Sequence, residues 1–236
     1  MANFDIKIEK FLKAFIDNGG YHNVLTGLKN TMEIAIIGLL IGIAIGTLIA
    51  SIRVLPKYRT LPRVLDKICS FYVAIFRGTP MVVQLLVFYY VLMPLMGFKI
   101  DGLNVAITVF GLNSGAYVSE IMRGGILSVD PGQLEGGRSV GMSYATTMFK
   151  IVIPQAIKNI LPTLGNEFIT LVKETSIVSF VGAMDLYKVF NDIGTNNYEF
   201  MVPYLVMAVI YIIIVCLITL GIKFMERRLR KSDRRS

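Results

Sequence analysis

The sequence predicts an all-α membrane protein that crosses the bilayer five times, and three observations predict it. The chain is 54% hydrophobic and only 17% charged, with a mean hydropathy of +0.63 over 236 residues, far from an average soluble domain. It holds uncharged runs at 34–52, 78–98, 102–119 and 200–222, each close to the roughly 20 residues that a spanning helix needs. Its basic residues cluster beside those runs, as the positive-inside rule expects.

Residues 1–20 are set apart from the membrane domain at 21–225. Lys7, Glu9, Lys10, Lys13 and Asp17 interrupt their apolar residues, so no signal-peptide core forms, and a short amphipathic helix on the outer surface is expected. The first span carries Gly38, Gly42 and Gly46 at four-residue intervals, which lets a second helix backbone approach closely. Packing within one subunit is the expected reason, and a dimer seam is the alternative that spacing alone does not separate. The second span is split by Phe76-Arg77-Gly78-Thr79-Pro80, and such a break frees backbone groups that must be satisfied inside the protein, which predicts a kinked helix facing neighbours or a cavity.

On the third span Asn113, Tyr117 and Glu120 fall at i, i+4 and i+7 and share one face. The fourth, 151–172, is interrupted by Lys158 and Glu167, yet the charge distribution requires it. Arg53, Lys57, Arg59, Arg63 and Lys67 face Asp66 alone in 53–67, and 223–236 holds seven basic residues against Glu226 and Asp233. Both segments belong in the cytoplasm, one after the first span and one after the last, so the count is odd and the N-terminus lies outside. The segment 173–199, with two lysines and four acids, suits an external loop, and 226–236 is a basic cytoplasmic tail.

Ionisable and polar groups inside spans normally face a bundle interior or a wet cavity. The candidate lining of a solute route is therefore Arg77, Gln84, Asn113, Tyr117, Glu120, Glu167, Thr170, Lys173, Thr175 and Ser176. Asn166 shares the face of Thr170 and Lys173, with Glu167 and Glu174 beside it. Arg77 and Glu120 both fall in the cytoplasmic half and are expected to pair across two helices, since either charge buried alone is very unfavourable. Glu167 stands about 24 Å along a straight helix from Ile151, in the outer half, where a carboxylate can receive an amino group or serve a structural role.

The net charge of +8 reads as this topology signal and not as a nucleic-acid footprint. Cys69 and Cys216 lie in hydrophobic segments and read as packing residues, and His22, the only histidine, as a surface residue. No metal-ligand cluster is present, and without a GxxxxGK[ST] phosphate loop the chain has no means of hydrolysing ATP itself.

With five spans the polar stretch 135–154, EGGRSVGMSYATTMFKIVIP, lies in the cytoplasm. Gly136, Gly137 and Gly141 have no side chains to block a partner, Glu135 and Arg138 offer charged hydrogen bonds, and Pro154 would begin the fourth span where a missing N–H costs least. Glu135, Gly141, Ile151 and Pro154 stand at the spacing Glu-Ala-Ala, three residues, Gly, nine residues, Ile-x-Leu-Pro, with Gly136 and Gly137 for the two alanines and Ile153 for the leucine. This resembles the EAA loop, at about 130–150, by which ABC importer permeases meet their ATPases. Phe-Arg-Gly-Thr-Pro followed by Gln84 resembles the second core helix of permeases for polar amino acids, of the histidine, glutamine and arginine type. Asn166-Glu167-Phe168 resembles a stretch of the same family. The segment 173–177 resembles one that closes the translocation path there, though it equally reads as the end of a helix at the outer interface.

The resemblance covers about residues 26–221 and implies the MetI-like type I importer fold. It implies a non-enzymatic permease subunit of a bacterial inner (plasma) membrane, embedded in lipid. A second permease, either a copy or a paralogue, would complete the pathway. A cytoplasmic ATPase dimer would bind ATP and Mg, and an extracytoplasmic binding protein would deliver an amino acid. No cofactor in this chain and no nucleic-acid partner is implied. The alternative is an ion-coupled secondary transporter, which should show broken helices in matching inverted halves; no convincing pair stands in the sequence.

Overall fold

The computed structural model describes residues 2–55, 58 and 60–233, and among these every regular element is helical. Lys57, Arg59, Arg234 and Arg235 of the expected basic flanks lie outside the described residues. In chain order the helices are α1 (Ala2–Leu12), α2 (Gly20–Val54), α3 (Thr60–Gly78), α4 (Met81–Val87), α5 (Met93–Leu95), α6 (Gly102–Leu127), α7 (Pro131–Ser139), α8 (Tyr144–Thr147), α9 (Ile153–Glu174), α10 (Leu186–Asn197) and α11 (Met201–Asp233). π-helical turns extend α1 and join α4 to α5 and α8 to α9, and a 3-10 turn, Thr175–Val181, follows α9.

By length and composition α2, α6 and α11 are each fit to cross a membrane, and α3 with the α4–α5 stretch makes a fourth candidate only if the two count as one span. Three of the expected apolar runs thus lie in longer helices, 34–52 in the C-terminal half of α2 and 102–119 and 200–222 at the starts of α6 and α11. α2 begins at Gly20 and, at 35 residues, reaches about 50 Å, well beyond a hydrocarbon core of about 30 Å. The expected second span is two helices: α3 ends at Gly78, and α4 starts after Pro80, whose backbone is extended.

The fold divides into two compact units, and each draws on α2, α6, α9 and α11. The first comprises Met1–Gly38, Pro80–Gly111 and Thr170–Leu217. In its core Phe11, Val24, Leu186, Val189, Phe190, Ile193 and Val202 are buried, with Ile8 and Phe15 of the N-terminal segment packed against them. The expected amphipathic helix therefore exists, and its apolar face meets protein. Lys7 fastens it to Glu199 at 3.0 Å, and that ammonium holds the Glu199 carboxyl below its usual range. Asp185 caps α10, accepting from Tyr187 N at 3.1 Å and Lys188 N at 2.9 Å. α2 receives this turn through Asn30, which donates to Met184 O at 2.7 Å, and Thr31, which accepts from Leu186 N at 3.2 Å.

The second unit comprises Leu39–Thr79, Leu112–Ile169 and Ile218–Ser236. Here a Cβ at Gly42 would stand 2.5 Å from Ser114 Oγ, and one at Gly46 2.7 Å from Val118 Cβ. The glycine spacing therefore serves packing of α2 on α6 within the chain. Tyr72 of α3 donates to Leu112 O of α6 at 2.5 Å, and Asn113 donates to Phe76 O at 3.2 Å. Cys69 packs beside these groups. Cys216, in the first unit, is exposed, so the packing role expected of both cysteines holds within this chain for Cys69 alone.

Pro154 falls in the first turn of α9, as expected, but the helical run does not start there. The helical run begins at Tyr144, capped by Ser143 Oγ accepting from Thr146 N at 3.1 Å, and continues through the π turn Met148–Val152 into α9. Proline has no N–H for the carbonyl four residues back, and the wider hydrogen bonding of the π turn just before it lets the run continue.

Burial pushes the Asp185 carboxyl up to about 6, against the lowering effect of its two backbone donors and Lys188. Unfolded, it titrates near about 3.9, so the folded state holds the proton more tightly. Its stabilising contribution is full below about pH 4 and is lost as pH rises through about 6. The thermal midpoint of detergent-purified Asp185→Asn should therefore rise relative to wild type between about pH 4 and pH 7. A relative fall over that range would mean that the ionised cap outweighs its desolvation.

Candidate functional site

The expected coupling loop is a short helix with defined ends. Asp130 accepts from Gly132 N at 2.7 Å, and Pro131 occupies the first turn, where its missing N–H has no intrahelical partner to lose. At the other end Gly141 has φ +87°. Its N–H donates to Arg138 O at 3.1 Å, and Met142 N donates to Gly137 O at 3.1 Å, which is the paired bonding of a Schellman stop. Arg138 Nη1 adds a bond to Met142 O at 3.2 Å. Gly141 is thus required by backbone conformation, whatever approaches it.

The three glycines read together in the sequence have separate roles. A Cβ at Gly137 would lie 2.4 Å from Thr147 Cγ2, so this glycine is used inside the chain, where α7 packs on α8. Gly136 faces open space. With Leu134 packed against the core of Val129, Met148 and Val152, α7 is held on one side. It presents Glu135, Gly136, Arg138 and Ser139 on the other. Val140, 78% exposed, and Phe149, 70% exposed, add an apolar component that the sequence reading missed. Its signal was two large apolar residues in a polar loop with no helical face to share.

The expected Arg77–Glu120 pair is not formed. Asn113 meets Phe76, so Arg77 stands level with the next turn of α6 and lies over the Tyr117 ring, 5.3 Å from its centroid. Glu120 is about 10 Å beyond Asn113 along the helix, level with Arg53. It accepts from Arg53 Nη1 and, at 2.8 Å, from Arg123 Nη2. Arg53 had read only as a topology signal, and the i, i+3 spacing of Glu120 and Arg123 was the available clue.

The remaining candidates are dispersed. Gln84 is buried on α4, and Glu167 is half-buried on α9. Thr170 and Lys173 are exposed on α9, as is Asn166. Thr175 is fully buried, and its hydroxyl donates to Val172 O at 2.9 Å. Within the first unit Lys173 and Ser176 border a groove of about 500 Å³, completed by Tyr187, Tyr211 and the apolar side chains of Met207, Ile212 and Val215. No group of three or more His, Cys, Asp or Glu able to hold a metal occurs among the described residues.

Residues 38–231 match the family described as the binding-protein-dependent transport system inner membrane component, and the chain belongs to that family. It is 37% identical over 210 residues to the arginine transport system permease protein ArtQ of Bacillus subtilis (strain 168), covering 89% of this chain and 94% of that one. It is 38% identical over 206 residues to a putative glutamine transport system permease protein GlnP of Rickettsia bellii (strain RML369-C), covering 87% and 92%. Among solved structures, an amino acid ABC transporter crystallised with histidines matches with a TM-score of 0.81 and 37% identity over 88% of this chain and 94% of that one. The inward-facing MetNI methionine transporter, at 20% identity and a TM-score of 0.75, covering 87% and 95%, shares the fold. The type I importer permease fold and the inner-membrane class are thereby established.

The two adjacent glycines of α7 should respond oppositely to substitution. Gly137→Ala should destabilise by about 1–3 kcal/mol through overpacking, and adding Thr147→Ser, which removes the colliding methyl, should recover part of the loss. Gly136→Ala should be neutral or stabilise by about 0.5–1 kcal/mol. Thermal midpoints of the four purified proteins check both statements.

Proposed function

We propose that this chain is the membrane subunit of an ATP-driven importer of a polar or charged amino acid, and that α7 is the contact through which a cytoplasmic ATPase dimer drives it. In this reading the chain crosses the bilayer five times, with its N-terminus outside and its C-terminus in the cytoplasm. It works with a second permease and an extracytoplasmic binding protein, while ATP and Mg are held by the ATPase. The observation that carries the reading is the construction of α7. It is capped at both ends and seated through Leu134 and Gly137 on the second unit's core, and its outer side bears Glu135, Gly136 and Arg138.

A helix so held passes a displacement to its neighbours instead of bending. Closure of the ATPases would move α7 as a rigid piece, and the spans would exchange inward-open for outward-open arrangements, a two-state change biased by nucleotide. Glu135 and Arg138 supply charge-assisted hydrogen bonds for an ATPase groove, and Val140 and Phe149 supply apolar contact. The relatives' arginine and glutamine transport support the substrate class. The exposed positions Thr170 and Lys173 of α9, with the groove beside Ser176, are the proposed solute-facing surface.

Gly141 is a poor place to test the contact, because any side chain there strains the helix stop. Gly136 faces open space in the chain, so Gly136→Trp should leave the thermal midpoint near that of wild type. In proteoliposomes holding the permease, its ATPase and its binding protein, the same substitution should abolish ATP-dependent uptake. Undiminished uptake would remove α7 from the ATPase contact.

A further inference from the structure

The second unit holds one group of ionisable side chains that the coupling surface does not use. Arg53 lies in the last turn of α2, Asp66 on α3, and Glu120 and Arg123 near the end of α6. Glu120 is shared. One carboxylate oxygen accepts from Arg53 Nη1, and the other accepts from Arg123 Nη2 at 2.8 Å and Nε at 3.3 Å. The four side chains are only partly screened by solvent, at 16% exposure for Arg53, 19% for Asp66, 20% for Glu120 and 35% for Arg123. Without the carboxylate, two guanidinium groups would face each other across the α2–α6 seam.

Two further observations connect the group to α7. Val54, the neighbour of Arg53, packs against the same core as Val129 and Leu134, so the end of α2 and the seat of α7 share one set of side chains. Arg53 Nε is buried and makes no hydrogen bond among the described residues, and it lies 3.8 Å from Asp66 Oδ1. Arg53 thus keeps a donor without a hydrogen bond within ion-pair distance of a second carboxylate.

We infer that Glu120 is a positioning residue of the transport cycle. It clamps the ends of α2 and α6 together behind α7, and Arg53 has two acceptors, Glu120 and Asp66, between which its pairing is redistributed when α7 moves. Packed elements switch between discrete arrangements, and an arginine poised between two carboxylates provides two. With Glu120 ionised, a displacement of α7 is delivered to α2 and α6 together; with the charge removed, the seam opens and absorbs it. This inference rests on the proposed ATP-driven importer.

The test uses the whole complex in proteoliposomes, with uptake, ATP hydrolysis and thermal midpoint measured for wild type, Glu120→Gln, Glu120→Asp and the double variant Arg53→Gln/Glu120→Gln. Glu120→Gln should keep its ATPase partner and its hydrolysis rate while uptake per ATP falls about tenfold, within the range of ordinary coupling free energies. Glu120→Asp should recover part of that ratio. If Glu120→Gln does not fold, the double variant, which removes both members of the pair, should fold and show the same low ratio. Wild-type uptake per ATP in whichever of these variants folds would overturn the inference, as would a loss of uptake that only parallels lost hydrolysis and stability. A wild-type complex that takes up solute without hydrolysing ATP would sink the importer reading and this inference with it.

Discussion

The close approach of α2 to α6 is the constraint on which the other positions depend. In lipid no hydrophobic drive holds two apolar helices together, so association must come from packing and polar contacts. Gly42 and Gly46 permit that packing, and any Cβ there would collide with Ser114 or Val118. Once α2 lies against α6, Arg53 is level with Glu120, and α3 is drawn in by Tyr72 on Leu112 O and Asn113 on Phe76 O. α6 is accordingly well enclosed, with Val105, Val109, Phe110, Ser114, Ala116 and Val118 all buried.

The loop after α6 uses the same economy of side chains for a different end. Glycine at 137 lets α7 meet Thr147, glycine at 141 makes the left-handed stop, and glycine at 136 does neither. Of the three, only Gly136 is both open to a partner and free of a role inside the chain. A loop held by a cap, a stop and an internal contact is stiff, and stiffness is what a transmitting element needs. Its neighbour, the π turn at Met148–Val152, lets the chain leave this helix pair and enter α9 as one continuous helical run despite Pro154.

Much of the fold was legible because spans are written in hydropathy, and the loop was legible because its spacing is a motif. The apolar run at 34–52 located α2 but not its start at Gly20, since a helix continues past the hydrocarbon wherever its backbone bonds allow, and His22, Lys29 and Glu33 do not interrupt them. α3 was hidden for a related reason: its polar residues Arg63, Asp66 and Lys67 resemble a loop in a hydropathy window, although Val73 and Cys69 mark a buried face. The Arg77–Glu120 expectation failed on register. Sequence places both charges at similar depth, but which turn of α3 meets which turn of α6 is decided by Asn113 on Phe76 and by the glycine seam, and neither can be read from a single helix. Lys173 and Ser176, three residues apart on one helical face, came together at one groove, while Thr175 between them turned inward.

The energetics of the outward surface give the proposed second permease a physical basis. α11 exposes Leu205, Val209, Leu217 and Leu220, a surface that lipid satisfies without further partners. α9 is different. Its exposed positions include Asn166, Thr170 and Lys173, and the groove beside Lys173 mixes an ammonium and tyrosines with apolar side chains. An ammonium set against hydrocarbon is costly unless it reaches water or a counter-charge. A second copy or paralogue packed to enclose a wet path beside Lys173 would remove that cost, and would give this polar groove a solute-bearing role.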